Sequence, residues 1–127
     1  LKKETGPVNY GFKADYEGGV CLTKEDFDEI SSTTPEFTEF PYEFYDIIIK
    51  APIETLKLEV SFFNGYKVNV QPTAFFGRQR QEDAVTGLSA SFVKEENRVI
   101  LIIKRPRIFY NYRLFWEPMP KEEYNKL

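Results

Sequence analysis

The side chains able to do chemistry are few and poorly spaced for it. Among 127 residues there is no His and a single Cys, Cys21. A nucleophilic Cys or Ser needs a base to activate it, and imidazole is the usual one. With none to hand, Cys21 reads as a small apolar filler. The same two counts remove the ordinary zinc ligand sets, which draw on several Cys and His. Carboxylates remain as ligands for hard cations. Glu25, Asp26, Asp28 and Glu29 cluster, and Asp15 and Glu17 lie beside Gly18-Gly19. Neither group has the ligand spacing of a helix-loop-helix calcium site, so both read as solvated acidic surface. Sugar hydrolysis needs two carboxylates flanking one bond, and no such pair stands out among the 20 acids. Gly77-Arg78-Gln79-Arg80 does not match a phosphate loop. The expectation is a protein that is not an enzyme and needs no cofactor.

One acid is oddly placed. Asp46 lies inside Phe44-Tyr45-Asp46-Ile47-Ile48-Ile49, where a bare charge is costly. It needs a Tyr hydroxyl or an arginine such as Arg113, and a structural role is expected of it.

Binding chemistry is better represented. The connection from Gly77 to Gly87 is long for a chain of otherwise short turns, and it carries Arg78, Gln79, Arg80 and Gln81 directly after Phe75-Phe76. Long ordered loops are disproportionately functional, and paired guanidinium groups suit carboxylates or phosphates. Phe76, Arg78, Gln79, Arg80 and Gln81 form the first candidate site. The second is Lys104-Arg105-Pro106-Arg107, where Phe109 and Tyr110 follow the cations. Basic and aromatic residues in alternation can serve nucleic acid. The chain as a whole carries a net charge of −3, however, and nucleic-acid domains are basic overall. Nucleic acid is therefore not the expected partner, and a charged, proline-bearing strand edge is the plainer meaning. A third group is Tyr45, Phe63, Tyr110 and Phe115, aromatics at turns or on the polar parity of their strands.

Charge is divided along the chain. Residues 1–60 hold 6 Lys/Arg against 13 Asp/Glu, and residues 61–127 hold 11 against 7. The plainer meaning is two complementary charged faces on one domain; the functional one is an anion-seeking surface in the second half, or head-to-tail association of acidic and basic faces.

The elements that must position these residues are mostly strands. Aromatics at 17% are too many for a disordered chain. Apolar runs such as Ile47–Ile49 and Val99–Ile103 are far too short to span a membrane. Thr23-Lys24-Glu25-Asp26 has the pattern of a capping box opening a short helix near residues 24–30, with Phe27 and Ile30 facing the core. Short strands are expected at Asn9–Lys13 and Glu36–Phe40. Glu43–Lys50 is apolar on both faces and reads as a central strand. Leu56, Leu58, Val60 and Phe62 alternate with polar residues, as do Tyr66, Val68 and Val70. Parity pairs these two runs through a three-residue turn, Phe63-Asn64-Gly65, with Gly65 left-handed. A second hairpin runs from Leu88, Ala90 and Phe92 through Glu95-Glu96-Asn97, placing Phe92 opposite Ile100 and Asn97 at a left-handed position. Val99–Ile103 reads as another central strand. In the last strand Tyr112, Leu114 and Trp116 share the core face, and Lys121–Leu127 is a tail or one helical turn.

These features predict an all-β, two-sheet antiparallel β-sandwich of immunoglobulin-like size, with a closed β-barrel as the alternative. One domain spans 1–127, with a mixed segment over 1–35 and a strand-rich core over 36–118. With Leu1 rather than Met at its start, the expectation is a processed product or a piece of a longer protein. A lone Cys and no visible leader favour a reducing, cytoplasmic setting. The expected function is a non-catalytic protein-interaction or accessory module, binding a protein partner or other domains of the parent chain. The alternatives are a carbohydrate-binding module using the exposed aromatics, and a small barrel enzyme or ligand carrier using carboxylates.

Overall fold

The computed structural model describes residues 23–33 and 40–127. Asp15, Glu17, Gly18-Gly19, Cys21, the strand expected at Asn9–Lys13 and most of Glu36–Phe40 lie outside these residues. The described chain forms α1 (Lys24–Ser31), β1 (Glu43–Ile48), β2 (Thr55–Ser61), β3 (Gln71–Phe76), β4 (Gln79–Arg80), a 3-10 turn (Glu82–Val85), β5 (Ala90–Lys94), β6 (Arg98–Lys104), β7 (Tyr110–Trp116) and α2 (Lys121–Tyr124). The strands make two antiparallel sheets, ordered β1-β7-β3-β4 and β2-β6-β5. This is the all-β sandwich expected. The sheets do not close into a barrel.

The two sheets bury opposing alternate residues. Tyr112, Leu114 and Trp116 of β7 point inward, as their parity predicts, and meet Leu56 and Leu58 of β2 and Val99, Leu101 and Ile103 of β6. Trp116 stands edge-on to Phe62, with ring centroids 5.2 Å apart. The 3-10 turn carries the chain from the β4 edge of one sheet to the β5 edge of the other. Its Ala84 and Val85 are buried in the core. What the sequence presents as a long loop from Gly77 to Gly87 is therefore a hairpin followed by a core-anchored turn.

Asp46 and Arg113 face each other across β1 and β7 on the outer surface of the four-stranded sheet. Arg113 donates from Nη2 at 2.8 Å and from Nε at 3.0 Å to Asp46 Oδ2, and Asn111 Nδ2 donates to the same oxygen at 2.9 Å. The guanidinium carbon lies 3.9, 4.6 and 4.8 Å from the ring centres of Phe44, Phe40 and Phe75. The Arg113 side chain is only 14% exposed. The buried-charge problem posed by Asp46 is thus solved by an arginine stacked among three rings.

Several local expectations need correction. Among the described residues β1 is an edge strand, pairing only with β7. Its two apolar faces arise because the Arg113 cluster covers much of the outer one. The run Tyr66–Val70 does not pair with β2, which pairs with β6 instead. It forms the crossover between the sheets, with Tyr66 and Val70 buried. Parity says which face a residue takes but not which neighbour the strand takes. Gly65 is left-handed, φ +93°, in a turn closed by Tyr66 N to Phe63 O at 3.1 Å. Asn64 keeps a negative φ, which excludes the type I′ hairpin.

In the second hairpin Phe92 lies opposite Leu101, not Ile100. The loop is Glu96-Asn97, closed by Glu95 N to Arg98 O at 2.8 Å, and Asn97 has no positive φ. β6 is apolar on both faces, so alternation gave no register there. The central position of β6 is as expected. β3 went unread because Pro72 interrupts it. The proline is tolerated because β4 flanks β3 only at Phe75 and Phe76, leaving β3, among the described residues, an edge beside Pro72. Helix α1 is capped as predicted, Asp26 N donating to Thr23 Oγ1 at 3.2 Å. Phe27 is buried, but Ile30 faces solvent.

Two stability measurements follow. Trp116→Ala should lose about 3–5 kcal/mol in urea unfolding, as a large core truncation does; an unchanged midpoint would contradict its place in the seam. Arg113→Ala should cost about 2–3 kcal/mol, below the value for a fully buried pair. Arg113→Lys should recover little of it, because an ammonium cannot stack flat on the rings; full recovery would show that charge alone matters.

Candidate functional site

Strand directions bring four connections to one end of the sandwich: residues 49–54 between β1 and β2, the turn at 77–78, residues 86–89 before β5, and residues 105–109 between β6 and β7. The β3–β4 hairpin has a two-residue turn, with Phe76 opposite Gln79. Gly77 there has φ +61° and Arg78 does not have positive φ, the pattern of a type II′ turn. Arg78 and Phe76 are thereby set at the tip.

The connection 105–109 joins the central strands of the two sheets in five residues. It is stitched to the neighbouring connection. Arg105 N donates to Glu54 O and Phe109 N to Ile49 O, each at 2.6 Å. Arg107 N donates to the hydroxyl of buried Tyr112 at 2.8 Å. This path places two non-glycine residues in left-handed backbone, Arg105 at φ 53° and Phe109 at φ 68°. For a side chain as bulky as Phe such a conformation is a genuine outlier. Phe109 is 61% exposed, so its ring gains little burial in exchange.

The two basic candidates meet here. Arg107 Nη1 lies 3.2 Å from Asp83 Oδ2, and its guanidinium sits 5.3 Å over the Tyr110 ring. Tyr110 in turn packs against Phe76, with centroids 5.2 Å apart. The Tyr110 hydroxyl and the Asp83 carboxylate raise the guanidinium above its ordinary pKa, so Arg107 stays charged. Phe76, Arg78, Gln79, Lys104, Arg105 and Arg107 thus share one end. Lys104, Arg105 and Arg78 are exposed, and none of the three makes an ion pair among the described residues.

Arg80 and Gln81 do not join them. Arg80 pairs with Glu82 and lies over the Phe115 ring on the outer sheet face. Gln81 N donates to Ala74 O at 2.8 Å. Of the aromatics singled out for exposure, Phe63 is exposed, Tyr45 and Tyr110 pack partly against the core, and Phe115 is buried beneath Phe40 and Tyr42.

Sequence reasoning missed Leu88. Alternation groups it with Ala90 and Phe92 in one strand, yet it stands wholly in solvent in the turn before β5. Gly87 at φ +90° was the available signal that the strand had not begun.

A concavity of about 510 Å³ opens at the opposite end, lined by Lys24, Tyr42, Lys67, Asn69, Arg80 and Phe115 among others. Lys24 is held by Glu117 at 2.8 Å, which raises its pKa, so much of the positive charge there is already answered. Glu25, Asp26, Asp28 and Glu29 lie on α1. Among the described residues no three or more Cys, Asp or Glu side chains are grouped to hold a metal ion. No described helix is long and apolar enough to cross a membrane.

Compared with family models, with curated proteins and with solved structures, the chain matches none.

The backbone strain is measurable. Phe109→Gly should be more stable than Phe109→Ala by about 1 kcal/mol, because only Ala keeps a Cβ in left-handed backbone. Equal stability of the two variants in thermal unfolding would show that the connection carries no strain.

Proposed function

We propose that this chain is a non-catalytic β-sandwich module, of immunoglobulin-like size with its four and three strands, that docks on protein through the end formed by residues 49–54, 76–79, 86–89 and 104–110. The partner is a separate protein or another domain of a longer parent chain. One observation carries the reading. Six of the eleven large exposed apolar side chains among the described residues, Ile48, Ile53, Phe76, Leu88, Ile108 and Phe109, gather at this end. Scattered single exposures are ordinary, whereas a gathered set beside arginine and tyrosine has the composition of an interface centre. The absence of His and the single Cys support a role without catalysis.

A photo-crosslinking amino acid placed at position 109 tests this, with position 57 on the outer face of β2 as control. In extracts of the native host, position 109 should capture a discrete protein that position 57 does not. Equal adduct patterns from both positions would sink the reading.

A further inference from the structure

The docking end has a charge opposite to that of the chain. Lys50, Arg78, Lys104, Arg105 and Arg107 stand there against Glu54 and Asp83, while the whole chain carries −3. Asp83 is engaged with Arg107. Lys50, Arg78, Lys104 and Arg105 make no ion pair among the described residues. The apolar set lies between these cations rather than apart from them. Ile108 and Phe109 follow Arg107, and Phe76 precedes Arg78 by two residues.

We infer that this end receives an acidic protein segment in which apolar side chains alternate with carboxylates. The inference rests on the protein-docking reading above and names the chemistry of its partner. Unpaired guanidinium groups donate to carboxylates in bidentate geometry, and exposed Phe76, Leu88 and Phe109 offer contacts for the side chains between them. An anionic bilayer would also be drawn to the charge, but it demands no fixed direction of donors. Here the backbone that carries the donors is fixed: the Arg105 amide donates to Glu54 O and the Arg107 amide to the Tyr112 hydroxyl, and the Arg107 guanidinium is held by Asp83 and Tyr110. The apolar groups are divided among several connections instead of one inserting loop. Aromatic and arginine side chains carried on braced backbone favour a protein partner.

The test uses a labelled synthetic peptide in which Glu alternates with Leu and Phe. Two control peptides replace Glu by Lys, or Leu and Phe by Ser. Vesicles of phosphatidylcholine with phosphatidylserine form a separate arm. The whole chain should bind the first peptide, more weakly as salt rises, and neither control. Arg78→Glu combined with Arg105→Glu should weaken binding about tenfold or more. Phe109→Ser should weaken it separately, and circular dichroism should show both variants folded. Equal binding of either control peptide, or no binding of the first, overturns the inference. Vesicle binding lost in the same variants, without peptide binding, assigns the end to a membrane and also overturns it. If crosslinking at position 109 still captures a protein while the acidic peptide fails, the docking reading stands and only the partner's chemistry falls.

Discussion

The fold depends on passing between β6 and β7 within five residues. These are the only strands among the described residues with neighbours on both sides along their length, so each sheet is organised about one of them. β6 joins β2 to β5, and β7 joins β1 to β3. The connection must leave one sheet, cross the depth of the sandwich and start the other strand with Tyr112, Leu114 and Trp116 facing inward. Arg105 and Phe109 take left-handed backbone to do so. Their amides bond to Glu54 and Ile49, so the two crossings at this end brace each other. Backbone in such regions persists only where the surroundings over-determine it, and four hydrogen-bonded strand ends do that here.

That constraint also decides which surface is left for a partner. At the opposite end α1 and α2 cover the chain. Lys24 N donates to Met119 O at 2.8 Å, Lys121 N to a Glu25 carboxylate at 2.7 Å, and Tyr66 and Phe63 pack against Tyr124. The outer face of the four-stranded sheet is occupied by its own chemistry, with Arg113 neutralised by Asp46 and enclosed by Phe40, Phe44 and Phe75. Among the described residues no helix covers the end holding residues 104–110, and cations outnumber carboxylates there. Rigidity there comes from the strands beneath, so a partner would meet connections whose backbone is already set, which lowers the ordering cost of binding.

Much of this was legible in the residues, and the failures have physical causes. Inward facing of Tyr112, Leu114 and Trp116 followed from alternation. The Asp46–Arg113 pair followed from the cost of an unpaired charge. The capping of α1 by Thr23 followed from local hydrogen-bond geometry. Strand partners did not follow: Leu58 and Val70 share a buried core without sharing a ladder, because a sandwich has two sheets that can both bury the same parity. β6 gave no register because both of its faces are apolar. At the candidate site Phe76, Arg78, Lys104, Arg105 and Arg107 were visible as charge and aromatics near turns. Leu88 was not, because alternation treats any apolar residue as an inward one. The left-handed backbone at Arg105 and Phe109 leaves no mark in residue type, since neither is Gly, Asn or Asp.

Native-state hydrogen exchange at the amides of Arg105 and Phe109 tests the central claim most directly. If the connection between β6 and β7 is clamped by both sheets, these two amides should be protected nearly as well as those of Leu101 and Leu114, opening only with global unfolding. Exchange at the rate of an unprotected loop, with the strand amides still protected, would show that the end is not pre-set by the fold and would contradict the account.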